Sequence, residues 1–355
     1  MTYRVPKPRR DRSAASRNRH RWPRAGRCWL LVATFALAGC PGERAPAPTP
    51  RHEAAIEPPT AESEPEVAPR VSPPRAPMSV FSEEANLLLS LDVRAAAASP
   101  LYEALLAPQV DKAFGESLQQ LRRLCSIELF TTVGRVFSAH VMDEQLDNVD
   151  GSHMFSVAGL RRERLRACMG RLTTEGIVKG YREEGSYGLV EAPSGPQWHV
   201  WLDATTVVLG TSMDRPRLQE RMEAGSSLQN QVSMMDLAGL VDRNATLWGI
   251  FEIPPEAIVR DNLDFYAVYG WLHLGTTLDL RVGLRHRTRE AARKTTEQFD
   301  KGIDQLLQQM GQLAKFLEGL EVITQDDDVI LTLSYDKAQM EAFIEEMVPL
   351  LRGAL

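Results

Sequence analysis

Two segments at the start of this 355-residue chain cannot contribute to a folded core, and they confine everything that can to residues 79–355. Residues 1–27 carry Lys7 and nine arginines against one acid, Asp11, and lead into eleven mostly apolar residues, Cys28 to Ala38. A membrane-spanning helix needs roughly 20 apolar residues, so so short a run behind a basic start has the form of a signal peptide. Arg9-Arg10 lies far upstream of that run, which favours the general secretory route over twin-arginine export. Residues 41–78 hold eleven prolines in 38 residues, whereas the 277 that follow hold eight. The rest of that segment is mostly Ala, Glu, Arg, Ser and Thr, too few apolar side chains to offset the entropy of ordering. It reads as a disordered linker with polyproline II character, about 3.1 Å per residue, reaching on the order of 100 Å when extended.

Leu37-Ala38-Gly39-Cys40 closes the apolar run with an apolar residue, two small ones and a cysteine. That tetrapeptide resembles the lipobox of bacterial lipoproteins. The resemblance implies diacylglyceryl transfer to the Cys40 thiol, cleavage before it and acylation of the new amino terminus. Pro41 stands where such lipoproteins carry an aspartate when they stay in an inner membrane, so the resemblance points to the outer membrane. A single acyl chain binds only reversibly at about 0.8 kcal/mol per buried methylene, and two or three chains on one cysteine hold. In layout the chain resembles the envelope lipoproteins of Gram-negative bacteria: residues 1–39 a signal peptide, 40–78 the lipidated cysteine and linker, 79–230 and 231–355 two halves of a folded part. The specific motif is confined to Leu37 to Cys40 and implies no activity.

Without its signal peptide the chain carries 31 bases and 46 acids, a net charge of −15, and the part from Ser79 onward carries −13. Neither nucleic acid nor bare anionic lipid suits such a surface. With Cys28 removed and Cys40 acylated, Cys125 and Cys168 remain. In an oxidising envelope they form a candidate disulfide, closing a loop of 43 residues and contributing roughly 4 kcal/mol in the chain-entropy model. Two separate buried thiols are the alternative, because spacing alone does not fix a distance.

The folded part predicts an α+β class with a mainly antiparallel sheet, helices on one face and two weakly similar repeated halves. Leu87 to Val93 reads as a buried strand, and Ser99-Pro100 as a helix start. Val110, Phe114, Leu118 and Leu121 form the apolar stripe of a helix ending near Cys125. Residues 133–142 and 153–160 read as a strand pair, followed by a charged helix from Arg161 to Leu172 and short strands to Thr211. Val200 to Leu209 aligns without a gap on Val322 to Leu331, and Asp214 and Asp336 then stand at equivalent helix caps. In the second half Phe299, Ile303, Leu306, Met310, Leu313, Leu317 and Leu320 alternate steps of four and three, which predicts one long helix packed along the sheet or used in self-association.

No nucleophile elbow, zinc-protease motif or phosphate loop is present. Asp326-Asp327-Asp328 lacks the spaced ligands of a calcium loop and reads as a hairpin turn; His199 reads as a structural strand histidine; Trp198, Trp201, Trp248 and Trp271 read as packing. The expectation is therefore no enzyme, no cofactor and no metal. Bases cluster where two helices are expected to start: Arg161, Arg162, Arg164 and Arg166, then Arg285, His286, Arg287 and Arg289. Positive charge opposes the helix dipole there by roughly 0.3–1 kcal/mol per charge. Either these are solvated faces paired with acids such as Glu163 and Glu290, or Arg161, Arg162, Arg285 and Arg287 form a doubled site for an acidic envelope protein or glycan phosphate. A tethered binding or scaffold module is the first functional reading; an envelope hydrolase with a noncanonical site and a self-associating structural lipoprotein are the others, with oligomeric state open.

Overall fold

A computed structural model describes residues 81, 84–143, 145, 153–193, 195–211, 214–223, 228–310, 315–317 and 319–354. The signal segment, Cys40 and the linker lie outside the described residues. Apolar runs such as Leu87 to Asp92, with successive side chains on opposite faces, build twelve strands among the described residues. They are β1 (Leu87–Asp92), β2 (Arg135–His140), β3 (His153–Ala158), β4 (Gly180–Glu184), β5 (Tyr187–Ala192), β6 (Gly195–Trp201), β7 (Thr206–Thr211), β8 (Leu247–Glu252), β9 (Phe265–Leu274), β10 (Leu278–His286), β11 (Glu321–Gln325) and β12 (Asp328–Tyr335). They form one sheet in the order β11-β12-β10-β9-β8-β1-β2-β3-β7-β6-β5-β4. Every pairing is antiparallel, which defines the α+β class.

The two halves of the sequence meet at the β1–β8 pair, registered from Leu87 opposite Phe251 to Leu91 opposite Leu247. Outward from it the sheet runs β1, β2, β3, β7, β6 on one side and β8, β9, β10, β12, β11 on the other, with the β5–β4 hairpin added beyond β6. Both segments aligned in the sequence are hairpins followed by a helix, β6–β7 leading to α5 (Arg215–Glu223) and β11–β12 to α9 (Lys337–Ala354), but α5 and α9 cover opposite faces of the sheet, so the expected repeat of two equivalent halves is not borne out. The Asp214 carboxylate accepts from the Arg217 N–H at 3.0 Å, and that of Asp336 from the Gln339 N–H at 2.8 Å, as caps do. Cross-strand register puts Val207 and Val329 on one face, and Val208 and Ile330 on the other.

The Val207 face carries the longer helices. One layer is α1 (Val93–Ala97), a π-helical turn Tyr102–Leu106 running into α2 (Ala107–Cys125), α3 (Leu129–Thr132) and α4 (Arg162–Thr174), which pack on β2, β3 and β7. At the other end of the sheet α8 (Arg289–Met310) and α9 pack on β10, β11 and β12. Helices are not restricted to this face. On the opposite one, α5 and α6 (Val232–Ala238) bury Leu218, Met222, Met234 and Leu237 against Val208, Trp248, Ile250 and Ile330, and the short α7 (Pro255–Asp261) follows β8. Apolar residues stand on both faces of the sheet, as the neighbours Val207 and Val208 do, so both faces need cover and the short helices after β7 supply it on the second.

Two further expectations are corrected. The long helix begins at Arg289, ten residues before Phe299, and residues 315–317 form a 3-10 turn instead of prolonging it. Leu313 lies outside the described residues, and Phe316 is buried in a separate cluster with Tyr335 and Met340. The other correction concerns the second set of bases. β10 continues through a register shift at Arg285/His286, so these residues end a strand and the helix starts at Arg289.

Cys125 at the end of α2 and Cys168 in α4 are joined by a disulfide with their α-carbons 4.7 Å apart, both nearly fully buried. The bond ties two helices that otherwise hold together through Leu121, Leu165, Met169 and Leu172. Replacing both cysteines with alanine should cost about 2–5 kcal/mol in denaturant unfolding. The unreduced mature domain carrying Cys40→Ser should show no titratable thiol after denaturation; two thiols would exclude the bridge.

Candidate functional site

The feature of the folded part least accounted for by stability is a cavity of about 340 Å³ between the Val207 face of the sheet and the α1–α2–α3 layer. Its floor is Leu91, Val136, Ser138, Phe155 and Val157 from β1, β2 and β3. Its roof includes Val110, Phe114 and Leu118, three of the four residues of the helical stripe legible in the sequence. Val93, Ala96 and Ala97 of α1 and Leu129, Phe130 and Val133 around α3 close the sides, with Tyr102 packed edge-on to Phe130 at 5.5 Å. Burial pushes the Tyr102 hydroxyl up, with the Asp111 charge adding to it.

An apolar cavity of about 150 Å³ already stays dry and takes up benzene. Such a cavity suits an apolar ligand held by shape and burial. Ser138 and Tyr102 are the hydroxyl-bearing residues in the lining. Beside it, on the same sheet face, a half-buried apolar floor continues over the centre of the sheet through Leu87, Leu89, Leu247, Phe251, Val268 and Leu280.

On the far side of α1 and α3 lies a shallower polar pocket of about 360 Å³, lined by Arg94, Glu128, Thr131, Thr132, Gly159, Arg161 and Arg164. Gly159 has φ +100, and a β-carbon there would lie 2.6 Å from the Thr132 carbonyl oxygen, so glycine is required where the chain turns from β3 to α4.

The four arginines singled out in the sequence do not form a doubled site. Arg162 donates to Glu183 at 3.0 Å, Arg166 donates to the same carboxylate, and so does the Tyr181 hydroxyl. Arg285 makes two bonds to Asp328, each 2.7 Å, and the Tyr269 hydroxyl donates to Asp328 at 2.8 Å. Both carboxylates are about nine-tenths buried, so these arginines neutralise charges inside the fold. Antiparallel pairing across β1–β8 also turns the second half upside down relative to the first. The end of β3, with Arg161 and Arg162, and the end of β10, with Arg285 and Arg287, therefore lie at opposite ends of the sheet. Arg161 and Arg287 are exposed.

Asp326 and Asp327 form the β11–β12 turn, Asp326 at φ +53, while Asp328 is the buried partner of Arg285. Among the described residues no group of three or more metal-ligating side chains is assembled. His199 is buried and stacked 5.9 Å from Tyr181, and it fits because Gly188 opposite it has no side chain. Burial lowers its value to about 4, so the ring is neutral near pH 7. Trp201 and Trp248 are core residues, and Trp198 and Trp271 pack against the core of the opposite face.

No family model and no curated protein matches the chain. Among solved structures, the crystal form I structure of TP0453 covers 77% of this chain and 98% of its own at 9% identity with a TM-score of 0.41, too slight a likeness to bear on function. No helix among the described residues is long and apolar enough to cross a membrane.

Glu183 supplies a pH-dependent test. Burial alone would push its carboxyl up, but hydrogen bonds from Arg166, Tyr181 and Arg162 outweigh that and hold it at about 2, against an ordinary 4.5. A carboxyl depressed by folding stabilises fully above its unfolded value and loses that contribution as pH falls from about 4.5 to about 2. Glu183→Gln should remove this share of the acid sensitivity and cost about 3 kcal/mol at neutral pH, since two guanidinium groups lose their partner. Reversing Arg162 or Arg285 to glutamate should destabilise by at least as much, by thermal melting. Unchanged stability would mean that these pairs are screened like surface ones.

Proposed function

We propose that this is a lipid-anchored envelope protein, tethered through Cys40 and probing outward on its proline-rich linker, whose folded part binds an apolar ligand in the cavity under α2. The single observation that carries the binding role is that cavity: some 340 Å³ of space walled almost wholly by hydrocarbon and reached from the helical face of the sheet. The lipobox tetrapeptide and the linker composition support the address and the reach. Such a protein acts by holding its ligand, with burial supplying roughly 0.8 kcal/mol per methylene and few polar groups needed to orient it.

The mature domain should take up an uncharged probe, 1-dodecanol displacing Nile red, saturably and with one site. Ala97→Trp extends an indole from α1 into the space, and should weaken that binding at least tenfold while leaving the melting temperature unchanged or raised. Absence of saturable binding, or binding undiminished by the tryptophan, would refute the cavity as a ligand site. The address has its own check: in cells fed labelled palmitate the wild-type chain should carry the label and the Cys40→Ser variant should not.

A further inference from the structure

Resting on the cavity reading, we infer that the ligand is an anionic amphiphile, its tail in the apolar cavity and its carboxylate or phosphate headgroup in the pocket formed by Arg94, Arg161 and Arg164. The two spaces stand back to back on a shared wall made of α1 and α3. In α1, Val93, Ala96 and Ala97 face the apolar side while Arg94 faces the polar one. In and after α3, Leu129, Phe130 and Val133 face the apolar side while Thr131 and Thr132 face the polar one. The wall is one short helix thick, about 10 Å with side chains, so a headgroup rounding its rim stays covalently within reach of a tail seated behind it.

The charge of the polar pocket supports this. In a folded part of net charge −13, three arginines line it with one carboxylate, Glu128, and that carboxylate is already paired with Arg122. Arg94 donates to the Thr132 carbonyl at 3.0 Å and Arg164 donates to the Ser126 carbonyl. Each bond fixes a guanidinium and leaves most of its five N–H donors for a ligand. Arg161, at the N-cap of α4, is exposed beside them. Positioned guanidinium groups suit planar carboxylates and phosphates through paired hydrogen bonds. Gly159 keeps this approach open, since a β-carbon there would stand 3.4 Å from the Arg94 guanidinium.

Competition binding on the mature domain with dodecanoate, 1-dodecanol and inorganic phosphate tests the assignment and separates it from the cavity reading. Dodecanoate should bind at least tenfold more tightly than dodecanol, and the preference should shrink as salt is raised. The Arg94→Gln/Arg161→Gln variant should lose that preference with dodecanol affinity unchanged, and Arg161→Lys alone should keep part of the preference that Arg161→Gln alone loses. Phosphate alone should compete with dodecanoate and leave bound dodecanol in place. A melting curve of the double variant matching that of the wild type shows that the wall is intact; should it melt lower, Arg161→Gln alone carries the comparison. Equal affinity for the acid and the alcohol, or a preference that survives loss of the arginines, overturns the headgroup site and leaves the apolar cavity standing. Failure of both amphiphiles to bind overturns the two readings together.

Discussion

The backbone ladder between β1 and β8 is the interaction on which the rest of the architecture depends. Five residue pairs in antiparallel register convert what would be two modest sheets into one of twelve strands. Strands that would otherwise be edges become central, which removes two templates for association. The same ladder fixes which face every side chain takes, because register in a two-faced sheet admits no slip of one residue. All of the helical packing follows from that assignment: long helices over Val207, Val157 and Val136, short ones over Val208, Trp248 and Ile250.

The cavity arises where this packing is incomplete. α2 presents an apolar stripe to the sheet, and α1 and α3 line the sides of the space that remains between them near the end of β1. The disulfide to α4 ties down the carboxyl end of α2. Close packing is the rule for interiors, and a tied roof over an open hydrocarbon space departs from it. The charged centres on Glu183 and Asp328 are built the other way. Each satisfies a buried carboxylate with arginine and tyrosine.

Legibility in the sequence followed the range of the interaction. Short-range signals were readable: the buried strand at Leu87 to Val93, the 110–121 stripe, the aspartate caps at Asp214 and Asp336, and the antiparallel character implied by the order of elements. Pairing over long range was not. Nothing near Arg285 signals that Asp328 lies across the neighbouring strand, so a strand end was read as a basic helix start. The α2 stripe foretold an apolar surface but not that it would face empty space, because a void depends on elements 20 to 40 residues apart, α1 and α3 among them. Arg94 carried no motif at all; its one sequence signal was being the charged residue in the otherwise small and apolar stretch Val93 to Ala98.

The position of β1 also determines how the domain bears load. The chain enters the sheet at Leu87 from its amino-terminal side, where the buried Phe81 and Ala85 precede β1, so a pull from that side that frees them passes to β1. β1 is held on both sides, by six pairs to β2 and five to β8, and the hydrogen bonds of antiparallel ladders lie across the strand direction. A lengthwise force is therefore shared by both ladders in shear and cannot open them one bond at a time. A pull on the amino-terminal side of the domain is thus taken up by a strand in the middle of the sheet and not by an edge.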